Sequence, residues 1–185
     1  NGKIAKEFVP VGVTLFGADR IPFRSSKYIT CQDGIIDCKP RGSEPAGLSL
    51  LWPVEGFGNV MLYTTRLPER QQPYILNVEI VRGKLMEIAT KREDWAIFDQ
   101  NTQLSSEAEE LQQYFIEMLE NIHDPAKASI LADKCLARAM HYAEHLANKY
   151  AGVLFEARLR NRGFARSSLG CKIDPEKLND KNYLK

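Results

Sequence analysis

The pattern of apolar residues changes once along this chain, within the stretch WPVEGFGNVMLYTTRLPERQQPYILNVEIVRGK at positions 52–84. Before it, short runs rich in Val, Phe and Tyr alternate with Gly, Pro and Asp, which favours strands joined by turns. After it, apolar residues recur at helical steps of three and four. The chain is therefore predicted to be α+β, with strands and helices in separate segments.

Five or six short strands are predicted before residue 67, in 8–16, 28–31, 35–39, 47–52 and 59–65. Pro10 and Gly12 in the first run favour an edge strand or a bulge. Asp33-Gly34 is typical of a two-residue hairpin turn. We expect residues 1–67 to form a small antiparallel β-sandwich, jelly-roll-like, or a partly open barrel.

The hairpin turn also bears on the cysteines. It places Cys31 opposite Ile36 and Cys38 opposite Ile29, so the two sulfurs are not cross-strand partners. With Cys135 and Cys171 there are four cysteines, without zinc-like spacing. We expect four free thiols, and, because the first ten residues also lack the apolar core of a signal peptide, a cytoplasmic compartment.

Three helices are predicted for residues 68–163. Pro73 suits the first position of the first helix, and Gly83 within that helix indicates close packing or a bend. Its apolar stripe comprises Tyr74, Val78, Val81, Leu85, Ile88 and Trp95.

The second helix is expected to begin at a capping box, Ser106-x-x-Glu109. Its apolar stripe comprises Ala108, Leu111, Phe115, Met118 and Ile122. Asp124-Pro125 predicts the start of the third helix, which should run to about Arg160. Its buried side comprises Leu131, Cys135, Ala139, Tyr142, Leu146, Tyr150 and Val153. Residues 164–185 remain as a tail.

Charge and hydropathy exclude two classes of partner. The chain has 25 basic and 24 acidic residues, for a net charge of +1, so no general field attracts nucleic acid. No apolar run approaches the roughly 20 residues that a membrane helix needs. We expect neither a nucleic-acid partner nor a membrane partner.

One motif with catalytic precedent is His141-Tyr-Ala-Glu144-His145, the HxxEH spacing of some zinc hydrolases. A zinc enzyme would use both histidines as ligands and Glu144 as a base, but it needs a third ligand. By helical spacing the histidines share a face with Arg138, away from the apolar stripe. The alternative, a solvated face without a metal, is therefore preferred, and no cofactor is predicted.

Two groups of residues near the pattern change are candidates for a binding site. Trp52, Phe57 and Tyr63 can be interpreted as an aromatic platform for sugar rings, or as filling of the seam between sheet and first helix. Arg66, Glu69 and Arg70 can bind a ligand or simply fix the loop in which they lie. Three acidic residues, Glu107, Glu109 and Glu110, are assigned to favourable charge near a helix start.

The stretch at 52–84 also resembles a known family. The pattern Pro53-x-x-Gly56-Phe57-Gly58, followed by Thr64-Thr65-x-Leu67-Pro68-Glu69-Arg70-x-x-Pro73-Tyr74-x-Leu76-x-x-Glu79 and Arg82-Gly83-Lys84, is similar to the N-terminal region of bacterial endo-1,4-β-xylanase-like proteins. Those proteins carry a glycoside hydrolase family 10 barrel further along. Leu169-Gly170-Cys171-Lys172-Ile173-Asp174 resembles the family's first barrel strand and the loop after it.

The resemblance implies a non-catalytic accessory module. The family's two catalytic glutamates come from later barrel strands, and no residue of these 185 matches either one, although a retaining glycosidase needs both. The resemblance implies a downstream barrel as a partner, and the aromatic platform adds polysaccharide as a candidate partner. The alternative is a structural module that docks through its helices, onto that barrel or as a homodimer.

Overall fold

The computed structural model describes residues 11–23, 29–32, 34–39, 44–95 and 102–161. It divides into two compact units, Asn1–Ala147 and Asn148–Lys185. The described elements are β1 (Val11–Phe16), β2 (Ile29–Gln32), β3 (Ile35–Cys38), β4 (Gly47–Val54), β5 (Gly58–Tyr63), α1 (Leu76–Trp95), α2 (Thr102–Glu120) and α3 (Pro125–Arg160).

The coarse fold class is confirmed: antiparallel strands come first and three helices follow. Within the described ranges, the strands form a three-stranded sheet in the order β1-β4-β5 and a separate hairpin, β2-β3. Sheets of this size do not confirm a jelly-roll sandwich, which stays a prediction. The change from strand to helix near residue 67 does not divide compact units, because sheet and helices share the first unit and the division falls inside α3.

The predicted irregularity of the first strand is confirmed. β1 lies at an edge of its sheet, and its register against β4 shifts between Val11 and Thr14. Gly12 has a φ of +68° there, a conformation that favours glycine.

The hairpin register is also as predicted. Ile29 pairs with Cys38, and Cys31 pairs with Ile36. Both cysteines and Cys135 are free thiols, whereas Cys171 lies outside the described residues. Burial raises the pKa of Cys38 to about 11, with a contribution from the Asp37 carboxylate.

β4 supplies the inner face of the three-stranded sheet. Its side chains alternate between two faces, as strand geometry requires, and those of one face are buried: Leu48, Leu50, Trp52 and Val54. Thr64, just after β5, is 1% exposed; its hydroxyl accepts the Leu48 N–H at 3.0 Å and donates to the Thr65 carbonyl at 2.7 Å. This buried hydroxyl therefore both donates and accepts, and its bond to Leu48 holds the residue after β5 to β4.

Gly83 sets the approach of α1 to the sheet. A Cβ atom at this position would overlap the Tyr63 carbonyl oxygen and lie 3.1 Å from the Thr64 carbonyl carbon. The expected close packing is therefore confirmed, and it explains why a residue of low helix propensity occurs inside α1.

The predicted helix starts were right for α3 only. Asp124 caps α3, since its Oδ1 accepts the N–H groups of Ala126 and Lys127 at 3.1 Å each. α1 begins at Leu76, three residues after Pro73, and α2 begins at Thr102, so Ser106 lies inside that helix and does not cap it.

The three helices and the sheet enclose the core of the first unit. The predicted stripes supply Val78, Val81, Ile88, Ala108, Leu111, Met118, Cys135, Ala139, Tyr142 and Leu146, all 9% exposed or less. Val153, predicted as buried, is 52% exposed, and every residue from 151 to 160 is exposed in the second unit. None of the described helices combines the length and apolarity needed to cross a bilayer.

Candidate functional site

The facing surfaces of α2 and α3 carry a histidine–carboxylate pair. Nδ1 of His145 lies 2.8 Å from Oε2 of Glu107, and about a third or less of each side chain is exposed. Beside this pair, the Arg138 guanidinium approaches Glu110 at 3.9 Å and lies 5.6 Å from the centroid of the Tyr114 ring. Both carboxylates therefore face a basic group.

The turn between β4 and β5 contributes the neighbouring aromatic contact. The Phe57 N–H donates to the Val54 carbonyl at 3.0 Å, and Gly56 and Gly58 both have positive φ, +80° and +72°. This tight turn places the Phe57 ring against His141 of α3, with 4.8 Å between ring centroids. His141 is thereby held by the sheet and not only by its own helix.

His141 and the two pairs described above, Glu107 with His145 and Glu110 with Arg138, line a cavity of about 370 Å³. Its polar and aromatic lining residues are Glu107, Glu110, Tyr114, Arg138, His141, Tyr142 and His145, which we call the α2–α3 cavity. A second, mainly apolar cavity of about 210 Å³ lies between α1 and α2. Leu111 and Tyr142 line both cavities, which therefore adjoin at these two side chains.

Tyr142 is the unusual residue of this region. It is 4% exposed, and its hydroxyl is buried without a hydrogen-bond partner. Burial raises the pKa of this hydroxyl, the Arg92 guanidinium opposes the shift, and the Glu107 carboxylate adds to it. A buried hydroxyl without a partner costs about 1–3 kcal/mol, so its place beside a cavity calls for an explanation.

The aromatic residues predicted as a sugar platform are largely used inside the fold. Trp52 is 6% exposed, and its indole N–H donates to the Asp133 carboxylate of α3. Tyr63 is half-buried, with its ring 6.3 Å from that of Phe16 and its hydroxyl bonded to Glu87. A stacking platform needs open ring faces, so the interpretation of Trp52 as part of a sugar platform is wrong, and for this residue the alternative of a filled seam fits.

The same Asp133 carboxylate also accepts the Asn77 side-chain amide of α1 at 2.8 Å. Partial burial raises the pKa of Asp133, and its bonds to Asn77 and Trp52 oppose the shift. One side chain of α3 thus joins β4 to α1.

The three loop residues differ in their contacts: Arg70 is bonded to the loop, whereas Arg66 and Glu69 are exposed. Arg70 donates to the carbonyls of Gln72 and Pro73 at 2.9 and 3.0 Å and stacks 3.4 Å from the Tyr74 ring centroid. This geometry fixes the loop, in agreement with the interpretation that Arg70 has a structural role and does not bind a ligand. Arg66 and Glu69 are exposed, and no function is assigned to them.

The HxxEH residues do not act together. Glu144 is exposed, and His145 takes Glu107 of another helix as its carboxylate. Among the described residues, no group of three or more His, Cys, Asp or Glu side chains is arranged to hold a metal ion. His141 is exposed, as expected for a solvated face, whereas His145 is partly buried against Glu107; both histidines line the α2–α3 cavity.

Sequence reasoning missed Glu107, Tyr142 and Arg138 as site residues. Within its own helix, Glu107 is explained by favourable charge near the helix start and Tyr142 by the buried stripe. Neither pattern therefore marks a site residue. The available signal is that the predicted stripe contains tyrosines, Tyr142 and Tyr150, since a buried Tyr usually requires a partner for its hydroxyl.

Comparison with known proteins finds no matching family model, no matching curated protein and no matching solved structure.

Proposed function

We propose that this chain is a non-catalytic accessory module of a glycoside hydrolase-like protein. The proposal begins from the resemblance of residues 52–84 to the N-terminal region of xylanase-like proteins. The observation that carries it is the structural use of that stretch. Trp52 bonds Asp133, Arg70 bonds the loop carbonyls, and Gly83 seats α1 on the end of β5.

We call the connection between β5 and α1 the joint. Because its polar groups hold the chain together, it favours a structural role over a catalytic one. The Tyr74 hydroxyl donates to the Pro68 carbonyl at 2.7 Å, and Arg82 donates to the 8%-exposed Glu79 at 3.2 Å. These groups are occupied by neighbouring parts of the chain, whereas a catalytic group must reach substrate atoms. Sugar contacts through Phe57 and Tyr63, which are half-buried, belong to this proposal in its carbohydrate-binding form.

The proposal is tested by a hydrolysis assay. The purified chain is incubated with xylan, carboxymethylcellulose and p-nitrophenyl xyloside, and released reducing sugar or nitrophenol is measured. We expect no release above a heat-denatured control. Release that is lost in the double variant Glu107→Gln, Glu110→Gln would overturn the non-catalytic assignment, because those carboxylates line the α2–α3 cavity.

A second candidate function, docking through the helices, is favoured by the last turns of α3. Val153, Leu154 and Leu159 are 52%, 41% and 54% exposed, and clustered exposed apolar residues are typical of interaction surfaces. Sedimentation velocity over a hundredfold concentration range tests the homodimer form. A monomer at every concentration contradicts it; a dimer that Leu154→Asp dissociates supports it.

A further inference from the structure

We infer that the α2–α3 cavity binds a small neutral molecule rich in hydroxyl groups. At about 370 Å³ the cavity falls in the range of small-molecule sites, roughly 300–1,000 Å³. The inference goes beyond the accessory role and rests on this cavity alone, so its failure would leave that role intact.

The charges of the cavity select against anions. Its acidic groups are two carboxylates, Glu107 and Glu110, and its basic groups are one guanidinium, Arg138, and two imidazoles. Sites for phosphate or carboxylate ligands concentrate Arg and Lys instead. A strongly cationic ligand is disfavoured as well, because each carboxylate already has a basic neighbour, His145 at 2.8 Å and Arg138 at 3.9 Å.

The hydrogen-bonding groups match hydroxyls. A carboxylate has about four lone-pair sites, and the bonds of Glu107 to Gln103 at 3.0 Å and His145 at 2.8 Å leave it able to accept more. Arg138 supplies donors, and the imidazole of His141 supplies one of each kind when neutral. Because a hydroxyl both donates and accepts, a ligand carrying several of them can use all three side chains.

The aromatic rings provide the apolar part of the site. Tyr114 and His141 line the cavity from different helices, and His141 is supported by Phe57 at 4.8 Å. Binding sites combine such rings with a few placed polar groups, the rings giving contact area and the polar groups orientation. A polyol with C–H faces between its hydroxyls suits this combination.

Tyr142 gives the independent reason to expect a ligand. Its hydroxyl has no partner within the described chain, although the residue lines the α2–α3 cavity. Side-chain shifts on binding are common, and a small shift of this wall would bring a ligand hydroxyl to the tyrosine. The bound state would then satisfy a group that the free protein leaves unsatisfied.

The histidines provide a direct test. The chain has three, His123, His141 and His145; two line the cavity, and His123 lies in the α2–α3 turn outside it. Imidazole resonances are followed by NMR during titration with D-xylose, cellobiose and myo-inositol, and separately with spermidine and inorganic phosphate. We expect one of the neutral compounds to shift His141 and His145 saturably and to leave His123 in place.

Two outcomes of the titration overturn the inference. One is that none of the neutral compounds gives a saturable shift, or that all three histidines move together. The other is that spermidine or phosphate shifts the cavity pair at lower concentration than the neutral compounds.

Variants test the part played by the tyrosine. Tyr142→Phe should weaken binding about fivefold to tenfold, the effect of one neutral hydrogen bond, and unchanged affinity would overturn that part. Should Tyr142→Phe not fold, Glu110→Gln serves instead, with Glu117→Gln as its control on the same helix and outside the cavity lining. Equal affinity in these two variants would count against the site.

Discussion

The joint between β5 and α1 and the α2–α3 cavity use polar residues in opposite ways. At the joint, Arg70 and Tyr74 donate to loop carbonyls and Thr64 both accepts and donates. At the cavity, the buried Tyr142 hydroxyl has no partner. The stretch richest in Gly, Pro and aromatic residues is thus a structural joint, while the cavity that we propose as a ligand site lies between helix faces whose sequence pattern is ordinary.

The largest loss of stability should come from adding a side chain at Gly83, where α1 contacts the end of β5. Gly83→Ala adds a methyl group that overlaps the Tyr63 carbonyl oxygen, so the free energy of unfolding should fall by about 3 kcal/mol. The control is Gly152→Ala in α3, where a Cβ meets nothing within 4 Å. That change should leave stability equal or raise it by up to about 1 kcal/mol, since Ala favours helix.

Urea denaturation of the two glycine variants measures this difference. Equal stability of the two would mean that α1 does not approach the end of β5 closely, and the structural interpretation of the joint would fail.

The next largest effect on stability is expected at Glu87 of α1, which is bonded to the Tyr63 hydroxyl of β5. Burial would raise the pKa of this carboxyl, but the Lys91 and Lys84 ammonium groups outweigh burial and the pKa is lowered. A lowered pKa stabilises the fold above the ordinary value of 4.5, and the contribution is lost as the pH falls through the lowered folded-state value.

Glu87→Gln should therefore cost about 1–2 kcal/mol at pH 7, as expected for hydrogen bonds to a charged group. The difference from the unmodified chain should shrink as the pH falls below 4.5, measured by urea unfolding from pH 7 to pH 3. Glu117→Gln, at an exposed position of α2, is the control. A difference that stays constant with pH would contradict the assignment.

A smaller loss of stability is expected when the Arg70 side chain, which holds the loop before α1, is removed. Arg70→Ala removes two bonds to carbonyls and a stacked ring, but at an exposed position, so about 1 kcal/mol is expected. Arg66→Ala, four residues away and also exposed, should change stability by less than about 0.5 kcal/mol. Thermal unfolding of both variants checks the order, and a larger loss in the Arg66 variant would reverse it.

Local features were predictable and long-range ones were not. The hairpin register follows from Asp33-Gly34 because a two-residue turn fixes the pairing beside it, and Asp124 marks a helix start because capping is local. The pairing of Glu107 with His145 depends on how two helices pack across 38 positions, which periodicity does not encode.

Two predictions about the extent of helices and their buried faces were wrong because sequence pattern alone does not include contacts with other parts of the chain. Pro73 suits a first helical position, yet α1 begins at Leu76 because Arg70 bonds the carbonyls of Gln72 and Pro73 and holds that segment as a loop. Val153 continues the periodic stripe of α3 but is exposed. A stripe shows which side of a helix can be buried, and says nothing of how far the packed partner extends.

The measurement closest to the central claim is the unfolding free energy of Tyr142→Phe. Because the Tyr142 hydroxyl is buried without a partner, its removal should leave stability unchanged or raise it by about 1 kcal/mol. Trp52→Phe, which removes the indole that bonds Asp133 between β4 and α3, should destabilise the chain under the same conditions. A loss above about 1 kcal/mol in Tyr142→Phe would show that the hydroxyl is already bonded within the protein, and the contrast between joint and cavity would not hold.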